Sequence, residues 1–396
     1  MFSKGRFAKR TDWSLNPNRL TEALRELHAA GTEVLDLTVS NPARAGIAYD
    51  SETILNSLRN RGAMDYDPQP KGLLSARKLV ADYYRKDHLC AVDPEAIVLT
   101  TSTSEGYSYV LRLLCNSGDE ILVPKPSYPL FEFLADLQDV KLVPYQLIYD
   151  HGWQIDFHSL AQGVNERTRV IVVVHPNNPS GSFVSPRERA ELNQFCFDHD
   201  LSLIVDEVFL DYAHDHIRRD TFVSNQKVLT FTLSGLSKIS GLPQMKLAWI
   251  VTTGPPHNVI AAMDRLEIIA DTYLSVNAPI QLAFPVLLQQ RKNIQPQLLE
   301  RVRDNLQELD RQLAQQKICT RLNVEGGWYV VLRVPVTRSD EDLAIELLEN
   351  TSVLVHPGHF FDFPNDGYLV LSLITPMRDF NQGISRVIGF FSASRA

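Results

Sequence analysis

What most constrains this chain is that three apolar runs of strand length each lead to a polar residue. Residues 170–174 are all Val or Ile, and His175-Pro176-Asn177 carries the chain from them to Asn178. Residues 201–205 lead directly to Asp206, and residues 228–233 lead through Ser234-Gly235-Leu236-Ser237 to Lys238. Runs this apolar suit strands buried on both faces, as in a parallel sheet. In such a sheet, ligands sit in the crevice beyond the carboxyl ends of the strands. An amide, a carboxylate and an amine are therefore expected to share one site.

The rest of the chain fits that architecture. Strand candidates fall at 96–101, 120–123, 141–146, 169–175, 201–206, 228–233 and 247–252, with helices between most of them, such as 105–114 and 186–199. Repeated βα units predict an α/β fold with a mostly parallel sheet flanked by helices. Residues 18–30 carry the helical stripe Leu20, Ala23, Leu24 and Leu27, with Gly31 as its cap, and 34–39 reads as a short strand. A long helical stretch at 279–316 is expected to break near 293–296. Strands at 327–334, 352–356 and 368–372 then alternate with helices at 339–349 and 380–392. The expected division is a large domain, 46–280, and a smaller α+β domain made of 281–396 together with the arm 1–45, since chain termini often lie close together.

Composition excludes several functions. A net charge of −8 argues against a general nucleic-acid binder. Cys90, Cys115, Cys196 and Cys319 are far apart and form no CxxC pair, so neither a metal site nor a disulfide framework is expected, and a reducing cytoplasm fits. The basic first ten residues have no apolar stretch behind them to make a signal peptide, and no apolar run approaches the length of a membrane span.

Lys, Asp and Asn at three strand ends suit pyridoxal phosphate. The amine can form a Schiff base with its aldehyde, the carboxylate can hold its pyridine nitrogen protonated, and the amide can hydrogen-bond its phenolic oxygen. The trio lies in Asn177-Asn178-Pro179-Ser180-Gly181, Val205-Asp206-Glu207-Val208-Phe209 and Ser234-Gly235-Leu236-Ser237-Lys238, followed by Gly241-Leu242-Pro243-Gln244-Met245-Lys246. With these segments, and with Tyr66-Asp67-Pro68, Gly72 and Arg77, the chain resembles the class I/II aminotransferases of the pyridoxal-phosphate fold-type I enzymes over almost its whole length.

The resemblance implies a large cofactor-binding domain plus a smaller α+β domain, and transfer of an amino group from an amino acid or amine to a keto acid or aldehyde. It makes Lys238 the Schiff-base residue and proton carrier. Ser102, Thr103 and Ser104, between a strand and a helix, would hold the phosphate, where free N–H groups favour an anion. Ser237 and Lys246 are further phosphate candidates. Tyr128 matches the aromatic residue that stacks on the cofactor. Tyr66 matches a residue that reaches the neighbouring subunit's phosphate, implying a homodimer, although the spacing from Tyr66 to Gly72 is one residue longer than usual.

Three positions depart from the family pattern. Lys246 stands where Arg is usual, so the phosphate would meet a point charge rather than a bidentate fork. Phe209 stands where a Tyr is expected, removing one donor to the phenolic oxygen, worth roughly 1.5–3 kcal/mol. The Schiff base is therefore expected to stay protonated over a wider pH range than in a Tyr-bearing relative. Val370, in Val370-Leu371-Ser372-Leu373, stands where an Arg usually clamps the substrate carboxylate. Arg44 is the favoured replacement and Arg333 the second. Trp13 and Trp328-Tyr329 could line the pocket, and Glu207 is expected to pair with a basic neighbour. A lyase, decarboxylase or cyclase on the same scaffold is the alternative activity, because the same cofactor serves elimination and Val370 leaves the carboxylate unclamped. A non-catalytic cofactor-binding module is disfavoured by the presence of all three of Lys238, Asp206 and Asn178.

Overall fold

The computed structural model describes residues 7–215 and 219–393. Its centre is an eight-stranded sheet. The strands lie side by side in the order Ile97–Thr100, Ala248–Thr253, Thr230–Gly235, Ser202–Asp206, Thr168–Val174, Glu120–Lys125, Lys141–Tyr149 and Trp153–Ile155. The five from Thr230–Gly235 to Lys141–Tyr149 run parallel. Ala248–Thr253 is antiparallel to both of its neighbours, and Trp153–Ile155 is an antiparallel edge strand. The inner strands are buried almost without interruption because both faces are covered. One face packs on Thr103–Leu114, Phe131–Leu137 and Pro256–Tyr273, through Val110, Leu134 and Leu266 among others. Part of the other face packs on Pro186–Asp198 through Leu192 and Cys196.

A second, four-stranded sheet is ordered Thr320–Arg321, Tyr329–Arg333, Tyr368–Ser372 and His356–Pro357. Its core includes Leu298, Val302, Leu343, Leu347, Phe380 and Ile384, from the helices Arg291–Leu313, Asp340–Thr351 and Met377–Ala393. The N-terminal region packs with this unit. Leu35–Asp36 pairs in parallel with Val353–Leu354, and Leu20 and Ala23 of the helix Arg19–Ala29 enter the same core.

Several elements differ in extent from the sequence expectation. The helix expected at 105–114 starts at Thr103, because Ser102 caps it by accepting from the Glu105 N–H at 3.2 Å. The long helical stretch breaks at Gln290 rather than at 293–296, giving Ala278–Gln289 and Arg291–Leu313. Pro296, the expected breaker, lies inside the second helix instead of ending the first. The expected turn at 234–237 is instead the end of a strand followed by the short helix Leu236–Ile239.

The loop that carries Asn178 is fastened to the smaller unit. Gly181 has φ +69°, its N–H donates to the Asn177 carbonyl at 2.8 Å, and its carbonyl accepts from the Glu325 N–H at 3.2 Å. A Cβ there would lie 2.4 Å from Val324 Cγ2 and 2.5 Å from the Gly326 carbonyl oxygen. Left-handed strain and a backbone clash together make Gly181→Ala destabilising by about 2–4 kcal/mol. A urea-denaturation series checks this; an unchanged midpoint would contradict it.

Candidate active site

The parallel register explains why three distant residues meet. Val174 is paired with Asp206, and Asp206 with Leu233, across three adjacent strands. Asn178 lies four residues beyond Val174 and Lys238 five beyond Leu233. All three line one cavity of about 210 Å³ at the carboxyl ends of the strands. Thr103, Ser104, Tyr107, Tyr128 and Ser237 add hydroxyl groups to its wall. Leu130, Phe131, Leu134, Val208 and Phe209 make it apolar on other sides, and Ser40 and Tyr329 come from outside the large sheet.

Burial sets the charge states. The Lys238 amine is pushed down to about 8 by desolvation, partly opposed by the Asp206 charge. Among the described residues no carboxylate lies within ion-pair distance of it. Its Nζ instead lies 4.8 Å from the centre of the Trp328 ring and 5.4 Å from that of Phe209. Asp206 is raised to about 6 by desolvation, against the hydrogen bonds it accepts from the Val208 N–H at 3.1 Å and the Tyr107 hydroxyl at 3.2 Å.

The other candidates divide between cavity and surface. Ser102 is outside the lining; its hydroxyl caps the helix. Tyr128 is 47 % exposed and forms part of the wall. Lys246 is exposed, in left-handed backbone at φ 51°, outside the lining. Tyr66 is 86 % exposed and borders a separate hollow of about 340 Å³ with Asp67, Leu73, Leu274 and Asn277. Arg44 is exposed and has no ion-pair partner among the described residues; it too lies outside the lining. Val370 is fully buried in the smaller unit's core, in register with Val331 and His356. Tyr329 and Val331 share a sheet face with Ser372 and Val370, so Val370 belongs to the face from which Tyr329 reaches the cavity. Arg333 is on that face too, four residues and about 13 Å along the strand from Tyr329.

Three further residues behave differently from expectation. Trp13 donates to Asp136 Oδ2 at 2.7 Å and packs edge-on against Phe133, outside the lining. Glu207 is buried and, in place of an ion pair, accepts hydrogen bonds from Thr221 Oγ1 and the Phe222 N–H, each at 2.6 Å. Tyr107, the Asp206 partner, was not singled out in the sequence. Its position one turn after Thr103, on the helix that starts at the site, is the signal that could have found it.

These residues fit pyridoxal phosphate. The lysine is lowered to about 8 by desolvation, Asp206 faces the same space, and Thr103 and Ser104 belong to the first turn of a twelve-residue helix at the wall. The buried Asn178 Oδ1 has no hydrogen-bond partner among the described residues, and a buried polar atom left unpaired costs about 1–3 kcal/mol. A polar ligand group would relieve that cost.

The fold and the site define a pyridoxal-phosphate aminotransferase fold of type I, and a family model agrees. The chain belongs to the family described as aminotransferase class I and II, whose model matches residues 32–377. It is 27 % identical to a glutamate-pyruvate aminotransferase of Haemophilus influenzae, over 94 % of each chain. It is 27 % identical to an alanine aminotransferase of Mycobacterium bovis, over 93 % of this chain and 88 % of the relative. An aminotransferase structure from Escherichia coli superposes with a TM-score of 0.85 at 25 % identity, covering 98 % of this chain and 99 % of that one. An alanine aminotransferase from Pyrococcus furiosus shares the fold with a TM-score of 0.88 at 21 % identity, covering 98 % and 100 %. The protein is an aminotransferase.

The lowered Lys238 value has a consequence for stability. A depressed amine contributes most above its unfolded value near 10.5, and the contribution is lost as pH falls through about 8. In cofactor-free protein, Lys238→Met should therefore raise the urea midpoint most below pH 8, with a gain that shrinks toward pH 10.5. Urea unfolding across that range checks this; a gain independent of pH would contradict it.

Proposed function

We propose that the chain is a homodimeric, cytoplasmic aminotransferase that moves an amino group from an amino acid to a keto acid with pyridoxal phosphate bound at Lys238. The observation that carries this reading is the Lys238 amine, desolvated toward neutrality and facing Asp206 across a cavity lined by hydroxyl groups. When bound, the cofactor supplies an electron sink for the bond that breaks at the donor carbon. Lys238 would bond to the cofactor's aldehyde carbon and, once displaced by the donor amine, would serve as the base that carries a proton from the donor carbon to that former aldehyde carbon. Asp206 keeps its charge opposite the ring nitrogen, supported by Tyr107 and the Val208 N–H. Asn178 orients the ring through its amide. Thr103, Ser104 and Ser237, with the capping turn at Ser102 and the charge of Lys246, would hold the phosphate, and Tyr128 would offer its ring to the cofactor's.

Tyr66 supports the dimer. Its ring is exposed and borders a hollow outside its own chain's Lys238 cavity, as expected of a residue that completes a neighbour's site. Arg44 is the proposed carboxylate holder. It follows Ser40, a lining residue, by four positions, and no carboxylate neutralises it among the described residues. No helix among the described residues is long and apolar enough to cross a membrane. The names of the relatives make alanine, glutamate and pyruvate the first substrates to test.

An absorbance scan of holoenzyme against a panel of amino acids and simple amines, without acceptor, tests the reading. One donor should convert the visible cofactor band to that of the pyridoxamine form in a single turnover. A band that persists while ammonia or carbon dioxide is released would establish the lyase or decarboxylase reading instead. With the identified donor, Arg44→Ala should lower kcat/KM roughly 10- to 150-fold, the loss of one charge-assisted hydrogen bond. An unchanged kcat/KM would remove Arg44 from the site.

A further inference from the structure

Lys238 sits on a helix of four residues, Leu236–Ile239. One turn is too short to be stable alone: its own backbone bonds are those of the Ser240, Gly241 and Leu242 amides to the Leu236 and Lys238 carbonyls. The turn is held from outside. The Tyr212 hydroxyl donates to the Lys238 carbonyl at 2.7 Å, Gln295 Nε2 to the Ile239 carbonyl at 2.9 Å, and the Tyr49 hydroxyl to the Gly241 carbonyl at 2.7 Å. These donors come from three segments outside the strands of the large sheet.

Gln295 is itself aimed. Its Nε2 also donates to Asp211 Oδ2 at 2.7 Å. The other oxygen of Asp211 accepts from the Tyr83 hydroxyl at 2.9 Å and lies 3.1 Å from His88 Nε2. This buried carboxylate therefore joins the helix Leu74–Asp87 and its following His88 to the Arg291–Leu313 helix. That helix is bolted further along to the smaller unit: Asn305 Nδ2 donates to the Leu373 and Thr375 carbonyls, both at 2.8 Å.

We propose that Tyr212 and Gln295 are positioning residues for Lys238, with Asp211 orienting Gln295, so that the aim of the lysine is set by a latch on its main-chain carbonyls. The inference rests on Lys238 being the cofactor-bearing residue. Neither positioning side chain belongs to the cavity wall, so neither is expected to touch substrate. Tyr212 is fully buried, its ring edge-on to Trp328 at 5.1 Å and to Phe209 at 6.2 Å, so Tyr212→Phe removes the hydroxyl and keeps the packing. Gln295→Met removes the amide at similar volume.

The test is amide hydrogen exchange of the cofactor-free full chain, with steady-state kinetics of the holoenzyme. In both variants the Ser240, Gly241 and Leu242 amides, bonded within the turn to the Leu236 and Lys238 carbonyls, should exchange at least tenfold faster. Exchange elsewhere in the large sheet should stay unchanged. kcat should fall about tenfold with donor KM within threefold. Exchange of the turn unchanged in Tyr212→Phe overturns the latch, whatever happens to kcat. If Gln295→Met does not fold, Tyr212→Phe alone decides. Faster exchange with unchanged kcat overturns the positioning role, while a failure of the Lys238 assignment itself is read separately, by the absence of a borohydride-trapped cofactor on Lys238.

Discussion

The structure depends on one electrostatic cost: an amine and a carboxylate are kept out of water at the ends of three parallel strands. Desolvation drives Lys238 toward neutrality and Asp206 toward protonation, opposed at Asp206 by the hydrogen bonds from the Val208 N–H and Tyr107 and at both groups by their weak mutual attraction. An isolated buried charge is expensive, so such groups persist where function requires them. Here the cost produces a lysine that is nucleophilic near neutral pH. Asp206 carries the opposite bias: burial raises it from 3.8 to about 6, so it costs folding stability progressively as pH rises between those values and in full above about 6. A cationic ring nitrogen beside it would reverse that bias, which is why the site suits a pyridinium.

The scaffold places these groups by register and holds them by capping. Parallel pairing brings Val174, Asp206 and Leu233 level, and each chain then leaves the sheet by its own route. The Asn178 route turns on Gly181 and is tied to residues 324–326; the Lys238 route ends in a four-residue helix tied to Tyr212, Gln295 and Tyr49. Both routes are fastened to segments that pack with the smaller unit. The arrangement of the two units thus bears directly on the geometry of the site.

How much of this was legible in the sequence follows from which signals are local. The inner strands were readable because strands buried on both faces are apolar along their length, and the trio because strand ends in such a sheet gather ligands. The edge strand Trp153–Ile155 has three residues and one partner, too little pattern to notice. The break at Gln290 was misplaced because Pro296 looks like a breaker yet lies inside the helix Arg291–Leu313. Glu207 was read as half of an ion pair, since the sequence cannot show that Thr221 and Phe222 return to it. The Tyr107 contact and the carbonyl latch were invisible for the same reason: both join residues far apart in sequence through tertiary packing.

Substrate recognition is where this chain departs most from its family's pattern. Val370 sits in a tightly packed apolar core, on the sheet face from which Tyr329 reaches the cavity, so that face provides no carboxylate clamp at that position. The most direct measurement is to reduce the holoenzyme with borohydride, digest it and locate the phosphopyridoxyl group by mass spectrometry. The account predicts one label per chain, on Lys238. A label on Lys246 or any other lysine, or none on Lys238, would contradict it.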